Sequence, residues 1–290
     1  MTEPLSTPQL DEQGSKPDEE QEAQPQKLEK DESDKVTALL VLNDARRMRL
    51  ARTSVNQFML QTYENKDIVI VNSSGQKVTT RDHPLVKEIE VDPTQYPTVG
   101  SLRNVALENA TGDWVLPWDD DDHSHPHRLV FQMAHRRGGS CVVLTHQLRV
   151  DIRHTIVYVH RDPDGVPGTI LFQRSTDPLW LHKWTEDASI RQEDTELLKQ
   201  FASSRVVVNN HMGMKPGPAL HMAYHHGLNV RSREEFFGEF AADKYKGGTN
   251  CHGVDQETLD YIQGALAAHN LRVESTKTQE PDVTGSLTHE

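Results

Sequence analysis

Uninterrupted apolar runs of strand length alternate with segments of helical periodicity through the first half of the chain. Val36–Asn43 and Asp67–Asn72 are such runs, as expected for strands buried on both faces of a sheet. Between them, five apolar residues recur at the spacing of one helical face: Met48, Ala51, Val55, Phe58 and Met59. The pattern therefore begins as strand, helix, strand.

The alternation continues to about residue 118. A short strand is expected near Ile89–Val91, and Trp114–Trp118 has the apolar character of another. The helix between them carries Val99, Leu102, Ala106 and Ala110 on one face and is expected to stop at Gly112. Strands that alternate with helices in this way predict a parallel sheet covered by helices.

The second half has a less regular pattern. Cys141–Val150 and His154–His160 resemble paired strands, and Gly168–Phe172 is a further apolar run after a turn. A short amphipathic helix is expected to begin near Glu193, followed by a strand in 205–210 and a terminal helix in 257–270.

The net charge of −13 over 290 residues is unevenly distributed, since residues 1–35 hold eleven acidic residues and four lysines. This segment has almost no large apolar residue, so we expect a disordered tail. No signal-peptide or membrane-spanning pattern follows, and we expect a cytoplasmic protein without a transmembrane anchor. The two cysteines, Cys141 and Cys251, exclude a disulfide framework, and Cys141 is expected to be buried.

Polar residues stand where three of the predicted strands end: Asn43-Asp44, Asn72–Ser74 and Asp119–Asp122. In parallel sheets ligands bind beyond the carboxyl ends of the strands, so these residues are expected to meet in one crevice. Four adjacent carboxylates there suit a hard divalent cation, although a solvated turn or a helix cap is the simpler interpretation of such a run. The strand before them favours the cation.

The histidines of the segment after the aspartates, His123, His125 and His127, are expected to be loop residues. A zinc site would be the alternative, but cysteine ligands are absent and Pro126 interrupts the series. A run of four arginines after the first strand is expected to form the solvated face of a helix, with contact to a polyanion as the alternative; they are Arg46, Arg47, Arg49 and Arg52.

Five elements occur in an order typical of one enzyme family. They are VLNDARR with LQTY, then LRNVALENATGDW, then VLPWDDDD, RQEDTELLKQF and HHGLN. Between Val36 and about Asn229 the chain resembles the inverting family-2 glycosyltransferases. The resemblance implies the GT-A fold, which is α/β with a Rossmann-like, mostly parallel central sheet flanked by helices and a small mixed sheet on the acceptor side. We expect this domain over 36–235, and a C-terminal helical extension with a frayed tail over 236–290.

The resemblance implies transfer of a sugar from a nucleotide-diphosphate donor to an acceptor hydroxyl, with Mn²⁺ or Mg²⁺ on the diphosphate. By position, Asp194 would be the general base, and Glu193 would help to bind the acceptor. Asp121 would be the principal metal ligand, assisted by Asp119 and His226. The residues expected to bind the donor are Asn43, Asp44, Asn72, Arg103, Asp119 and Asp120.

Some features depart from the family pattern and leave alternatives open. Asn72 and Ser73 replace the acidic residues that usually read the base, so uridine preference is not implied. A metal-dependent nuclease or phosphohydrolase could use Asp119–Asp122 with Glu193-Asp194, and a catalytically silent sugar-binding relative is a further alternative. A sugar nucleotidyltransferase would need a glycine-rich loop that VLNDARR lacks. The acceptor is open: a glycan, a soluble small molecule or a modified DNA base.

Overall fold

Strands and helices follow one another much as the apolar pattern predicts. The computed structural model describes residues 34–151, 156–175, 182–190, 192–210, 220–225, 250–252 and 256–268. The described strands are β1 (Val36–Leu42), β2 (Lys66–Asn72), β3 (Val86–Glu90), β4 (Trp114–Pro117), β5 (His123–Ser124), β6 (Cys141–Leu144), β7 (His146–Asp151), β8 (Ile156–Arg161), β9 (Leu171–Gln173), β10 (Arg205–Val208), β11 (His221–His225) and β12 (Asn250–His252). The helices are α1 (Met48–Met59), α2 (Val99–Glu108), α3 (Arg128–Ala134), α4 (Glu193–Lys199) and α5 (Gln256–Ala268).

Seven of the described strands form the larger sheet, in the order β10-β6-β9-β4-β1-β2-β3. Its pairs are parallel except those of β9, which runs antiparallel to β4 and to β6. The predicted α/β architecture, with a mostly parallel sheet flanked by helices and a smaller mixed sheet, is confirmed. Helix α2 ends at Glu108, earlier than the predicted stop at Gly112.

Hydrophobic clusters cover both faces of this sheet. Successive side chains of a strand point to opposite faces, and in β1 Leu40 packs with Phe58 of α1 on one side. Leu39 packs on the other side, with Leu102 of α2 and Leu197 of α4. Burial on both faces explains why the strand sequences are uninterrupted apolar runs.

The smaller sheet is mixed, with the order β12-β8-β7-β11-β5. Helix α5 packs on it, where Ile262 and Ala265 contact the cluster of Leu148, Val150 and Tyr224. The helix predicted near the end of the chain is thus present. The predicted domain limits stay predictions, because residues 1–33 and much of 236–290 lie outside the described residues.

One continuous segment passes from the larger sheet to the smaller one at Thr145. Strand β6 pairs with β9 and β10, whereas β7 pairs with β8 and β11. The predicted pairing of Cys141–Val150 with His154–His160 therefore holds for β7, whereas β6 belongs to the other sheet. Only Thr145 lies between β6 and β7. A connection this short leaves no turn pattern in the sequence from which the break could be predicted.

Cys141 is buried in the large sheet, as expected. Among the helices that the structure describes, none combines the length and apolarity that crossing a membrane requires.

Candidate active site

A crevice of about 460 Å³ lies between the carboxyl ends of β1 and β4 and one face of the smaller sheet. Strand ends of the larger sheet contribute Asn43 and Asp119–Asp122, and α4 contributes Glu193 and Asp194. The opposite wall comes from β7 and β11, with Gln147, Arg149 and His221. The convergence expected at the ends of parallel strands therefore holds for β1 and β4.

The four aspartates form a turn that is fixed at both ends. Before it, the indole of buried Trp118 donates to the carbonyl of Ser54 on α1 (3.0 Å), and the Ser54 hydroxyl donates to the carbonyl of Asp119 (2.7 Å). After it, His123 and Ser124 form β5 and pair with β11. The carboxylates are thus held by two sheets and a helix.

Arg47 neutralises the middle of this turn. Its Nη2 contacts Asp120 and lies 2.6 Å from the nearer oxygen of Asp121. The Arg47 side chain is only 13% exposed. Burial opposes its charge, but the surrounding aspartates outweigh burial and raise its pKa. The prediction that Arg47 belongs to a solvated helix face is wrong, because it lies in the short 3-10 turn before α1 and faces inward.

Arg103 links the aspartate turn to α4. Its Nη2 donates to Asp119 (2.7 Å), and its Nη1 donates to Glu193 (2.9 Å) and Asp194 (2.7 Å). Arg103 is 4% exposed; burial disfavours its charge, but the charges of Asp194, Asp119 and Glu193 more than offset that cost and raise its pKa. The structure therefore brings together three predicted site carboxylates through a residue that was itself predicted.

Asp194 differs from a surface carboxylate in its hydrogen bonds and in its pKa. Its Oδ1 accepts from Arg103 and from the indole of Trp184, each at 2.7 Å. Burial raises its pKa to about 6, an effect that Arg103 opposes and the charges of Asp119 and Glu193 reinforce. Both bonds reach one oxygen, so among the described residues Oδ2 has no hydrogen-bond donor and can take a proton.

Asp122 is held by a chain of buried side chains. Arg128 Nη1 lies 3.2 Å from His221 Nδ1, and His221 Nε2 lies 3.3 Å from Asp122. Since a guanidinium only donates, Nδ1 must accept, and Nε2 must carry the proton that faces Asp122. Burial and the charge of Arg128 lower the pKa of His221 to about 3, so the imidazole is neutral. Burial, followed by the charge of Asp121, raises the pKa of Asp122.

Two predicted donor-binding residues do not line the crevice. Asn72 is 1% exposed, and its amide donates to the Gln76 carbonyl (2.6 Å) and to Glu88 (2.9 Å) while accepting from Ser74. It therefore shapes the loop after β2. Asp44 caps the 3-10 turn and pairs with Arg46, whose hydrogen bonds lower the pKa of Asp44 to about 2.

Of the other predicted positions, Asn43 lines the crevice, and His226 lies outside the described residues. His123 belongs to β5 and not to a loop, and its Nε2 lies 2.9 Å from the hydroxyl of Tyr261 on α5. The ring of His125 lies 5.0 Å from that of Tyr261. The histidines His123 and His125 therefore pack the segment around β5 against α5.

Comparison with known proteins gives likenesses at the level of structure. No protein-family model and no curated protein sequence matches the chain. S. aureus TarS 1-349 is similar over 66% of this chain and 60% of that one, with a TM-score of 0.48 and 15% identity. Its complex with UDP-GlcNAc matches over 81% of this chain and 66% of that one (TM-score 0.49, 14% identity).

A mannosyltransferase from Pyrobaculum calidifontis, PcManGT, solved with GDP-Man and Mn²⁺, is also similar. The match covers 83% of this chain and 71% of that one, with a TM-score of 0.47 and 15% identity. At TM-scores below 0.5 these likenesses do not decide what the chain does.

The carboxylates of the aspartate turn supply the oxygen ligands that a hard divalent cation prefers. Among the described residues, no three His, Cys, Asp or Glu side chains surround one point as a metal site. Mn²⁺ and Mg²⁺ do not need such a cage, because they commonly take one or two carboxylates and complete their shell with waters and phosphate oxygens. The Arg47 guanidinium, in contact with Asp120 and Asp121, shows that a positive charge is accommodated there. Asp119, by contrast, contacts Arg103.

Sequence reasoning missed several residues of the site. The sequence pattern predicts a solvent-exposed Arg47, and it does not mark Trp184, Arg128 or His221 as site residues. No local pattern marks them, since their partners are far away in sequence: His221 and Arg128 are 93 positions apart. Only Trp184, ten positions before Asp194, was close enough to suggest an indole near the proposed base.

Gly100, in the first turn of α2 at the crevice wall, offers a test of how the site is packed. A Cβ at this position would lie 1.9 Å from the carbonyl oxygen of Thr185, which follows Trp184. Gly100→Ala should therefore displace the segment that holds Trp184 and lower the free energy of unfolding by about 1–3 kcal/mol. Urea unfolding measures this loss.

The matched control is Gly264→Ala in α5, where a Cβ would meet no atom within 4 Å. That variant should be as stable as the wild type, or more stable by up to about 1 kcal/mol, because alanine favours helix. Equal stability of Gly100→Ala and the wild type would contradict the close packing of α2 on residues 184–185.

Proposed function

We propose that this chain is an inverting, metal-dependent glycosyltransferase of the GT-A type, which moves a sugar from a nucleotide diphosphate to an acceptor hydroxyl. The observation that carries the proposal is the bridge made by Arg103. It places Asp119, at the end of a parallel strand, and Asp194, a carboxylate with a pKa of about 6, in the same crevice. Donor-binding and proton-accepting groups are thus adjacent.

On the donor side, Asn43 and Asp119 lie at the ends of β1 and β4, where a nucleotide binds in sheets of this kind. Asp121, with Asp119, would hold Mn²⁺ or Mg²⁺; a bound ion of this type stabilises the charge of a departing diphosphate. Asp122 stays in place through His221 and Arg128, which fixes the turn while its neighbours contact the donor.

On the acceptor side, Asp194 takes the proton of the attacking hydroxyl through Oδ2. A pKa of about 6 leaves the group mostly ionised near pH 7 yet more basic than an exposed aspartate, which favours proton transfer. Glu193 shares the Arg103 nitrogen with Asp194 and faces the crevice, so it is placed to bind the acceptor. Attack from this side, opposite to the departing diphosphate, inverts the anomeric carbon.

A thermal-shift panel tests the donor. UDP, GDP, ADP and CDP, each with and without Mn²⁺, are added to the wild-type protein. One nucleotide should stabilise the fold only when Mn²⁺ is present, by about 2.7 kcal/mol at a hundred times its Kd. Asp121→Asn should melt like the wild type when no ligand is added and should lose the metal-dependent shift.

The outcome that would overturn the proposal is the absence of any metal-dependent nucleotide shift in the wild type. If Mg²⁺ then supported cleavage of an oligonucleotide by the same preparation, the nuclease alternative would be correct. A shift without sugar transfer to any acceptor in a labelled-donor screen of glycans, small molecules and modified DNA would favour the catalytically silent alternative.

A further inference from the structure

Arg47 occupies the position at which a cation would meet the aspartate turn. Its Nη2 contacts both Asp120 and Asp121, the residue proposed as the principal metal ligand. Arg47 comes from the 3-10 turn directly after β1, 73 positions before Asp120. The contact therefore depends on the fold and not on neighbourhood in the sequence.

A positive charge stabilises the middle of the turn whether or not a ligand is present. Asp120 and Asp121 are buried next to each other, and adjacent buried carboxylates repel strongly when both are ionised. Arg103 is occupied with Asp119 and α4, and Arg128 contacts His221 rather than the aspartates. Among the described residues, Arg47 is the arginine in ion-pair contact with the middle of the turn.

The hold on Arg47 is incomplete, which distinguishes it from Arg103. Both of its ion pairs use Nη2; its Nε, like that of Arg103, is buried without a hydrogen-bond partner among the described residues. Arg103, by contrast, uses two nitrogens for three carboxylates. The side chain is also long and flexible, and residue 47 belongs to a turn whose preceding residue is exposed. A guanidinium held at one nitrogen can be released at smaller cost.

We propose that Arg47 is a tethered counter-cation that competes with a divalent metal ion for Asp121. Without the metal, Arg47 neutralises the turn and keeps its two carboxylates together. When Mn²⁺ or Mg²⁺ binds, the guanidinium moves off the carboxylate oxygens that the ion takes. This inference rests on the metal site of the proposed function, and it adds a residue that sets how readily that site is filled.

A titration of Mn²⁺ followed by electron paramagnetic resonance, at pH 7.5 and without nucleotide, tests the competition. Arg47→Gln should bind Mn²⁺ about tenfold more tightly than the wild type or better, because the ion no longer has to replace a charge-assisted hydrogen bond. Arg46→Gln is the matched control: Arg46 is the adjacent residue, is exposed and pairs with Asp44, so its loss should leave the affinity unchanged.

A second measurement uses the wild-type chain and does not depend on the folding of a variant. Phenylglyoxal labels accessible arginines, and mass spectrometry reports each site separately. Mn²⁺ should speed the labelling of Arg47, which it releases, and leave that of Arg46 unchanged. In Asp121→Asn the ion should not change the labelling of either arginine.

Equal or weaker Mn²⁺ binding by folded Arg47→Gln would overturn the inference, as would Mn²⁺ that slows or does not change the labelling of Arg47. Both measurements omit nucleotide, so they separate this inference from the proposed function. Loss of nucleotide-sugar binding alone would remove the proposed function, whereas a normal metal-dependent nucleotide shift with unchanged Arg47 labelling would remove only the competition.

Discussion

Asp194→Asn should lower kcat by about 10² to 10⁴-fold, because an amide cannot accept the proton of the acceptor hydroxyl. Donor binding should change much less than kcat, because among the described residues Asp194 is connected to the donor side of the crevice only through Arg103, which keeps its contact with Asp119. The amide oxygen can still accept from Arg103 and Trp184, as Oδ1 does now. Steady-state kinetics with the donor and acceptor found in the screen should show the fall in kcat with little change in the KM for the donor.

The pH profile provides an independent readout of the same role. With a pKa of about 6, Asp194 should be ionised above that pH, so kcat/KM should fall roughly tenfold for each pH unit below about 6. Asp194→Asn should lose this acid limb. The matched control is Glu196→Gln, on the same helix and paired with Lys199 at the surface, which should keep both the rate and the profile. A variant that lost only donor binding would contradict the base assignment.

The contribution of Asp194 to stability should decrease as the pH rises, whereas its contribution to activity should increase. The pKa of Asp194 is raised from 3.8 in the unfolded chain to about 6 in the fold, so the folded state binds the proton more tightly. Its stabilising contribution is fully present below about pH 4 and is lost as the pH rises through 6. The stability of the wild type should therefore fall relative to Asp194→Asn over this interval, as thermal unfolding at pH 4 and pH 7 would show.

Arg103→Met should lower the free energy of unfolding at pH 7 by about 3–5 kcal/mol, because it leaves the carboxylates of Asp119, Glu193 and Asp194 without their cation. The value should be nearer 3 kcal/mol, since each carboxylate keeps some exposure. Near pH 4 the loss should shrink, because Asp194, whose pKa is about 6, is protonated there and no longer needs the cation. Urea unfolding at the two pH values measures both effects.

The control for this variant is Lys183→Met, which removes an exposed ion pair with Glu108 at the end of α2. Exposed pairs contribute up to about 1 kcal/mol, so the loss should be small and nearly independent of pH. A similar cost for both variants would show that the Arg103 bridge does not stabilise the fold. Activity of Arg103→Met should also fall at pH 7, because the pKa of Asp194 rises further without the guanidinium.

The elements that the sequence predicted well are those whose burial is uniform. Val36–Leu42 and Lys66–Asn72 lie inside a sheet covered on both faces, so their apolar runs have few other interpretations. The ends of parallel strands likewise predicted that Asn43 and Asp119 would meet in one crevice. Glu193 also begins the helix expected there.

What the sequence could not show depends on partners distant along the chain. Asn72 stands at a strand end like Asp119, but Glu88 and the loop carbonyl of Gln76 engage its amide before any ligand can. Arg47 follows the pattern of an exposed arginine on a helix, and only the folded chain brings it to Asp120. The position at a strand end predicts where a residue lies in the fold. The contacts of its side chain decide whether that side chain can still bind a ligand.

The single-residue crossing at Thr145 bears on how the crevice can move. The Thr145 amide donates to Val208 (3.0 Å), and Asn210 both accepts from the His146 amide (2.9 Å) and donates to its carbonyl (3.0 Å). Because the connection is one residue long and is held by these hydrogen bonds, it cannot act as a hinge between the sheets. The two walls should therefore keep their separation when a ligand enters the crevice.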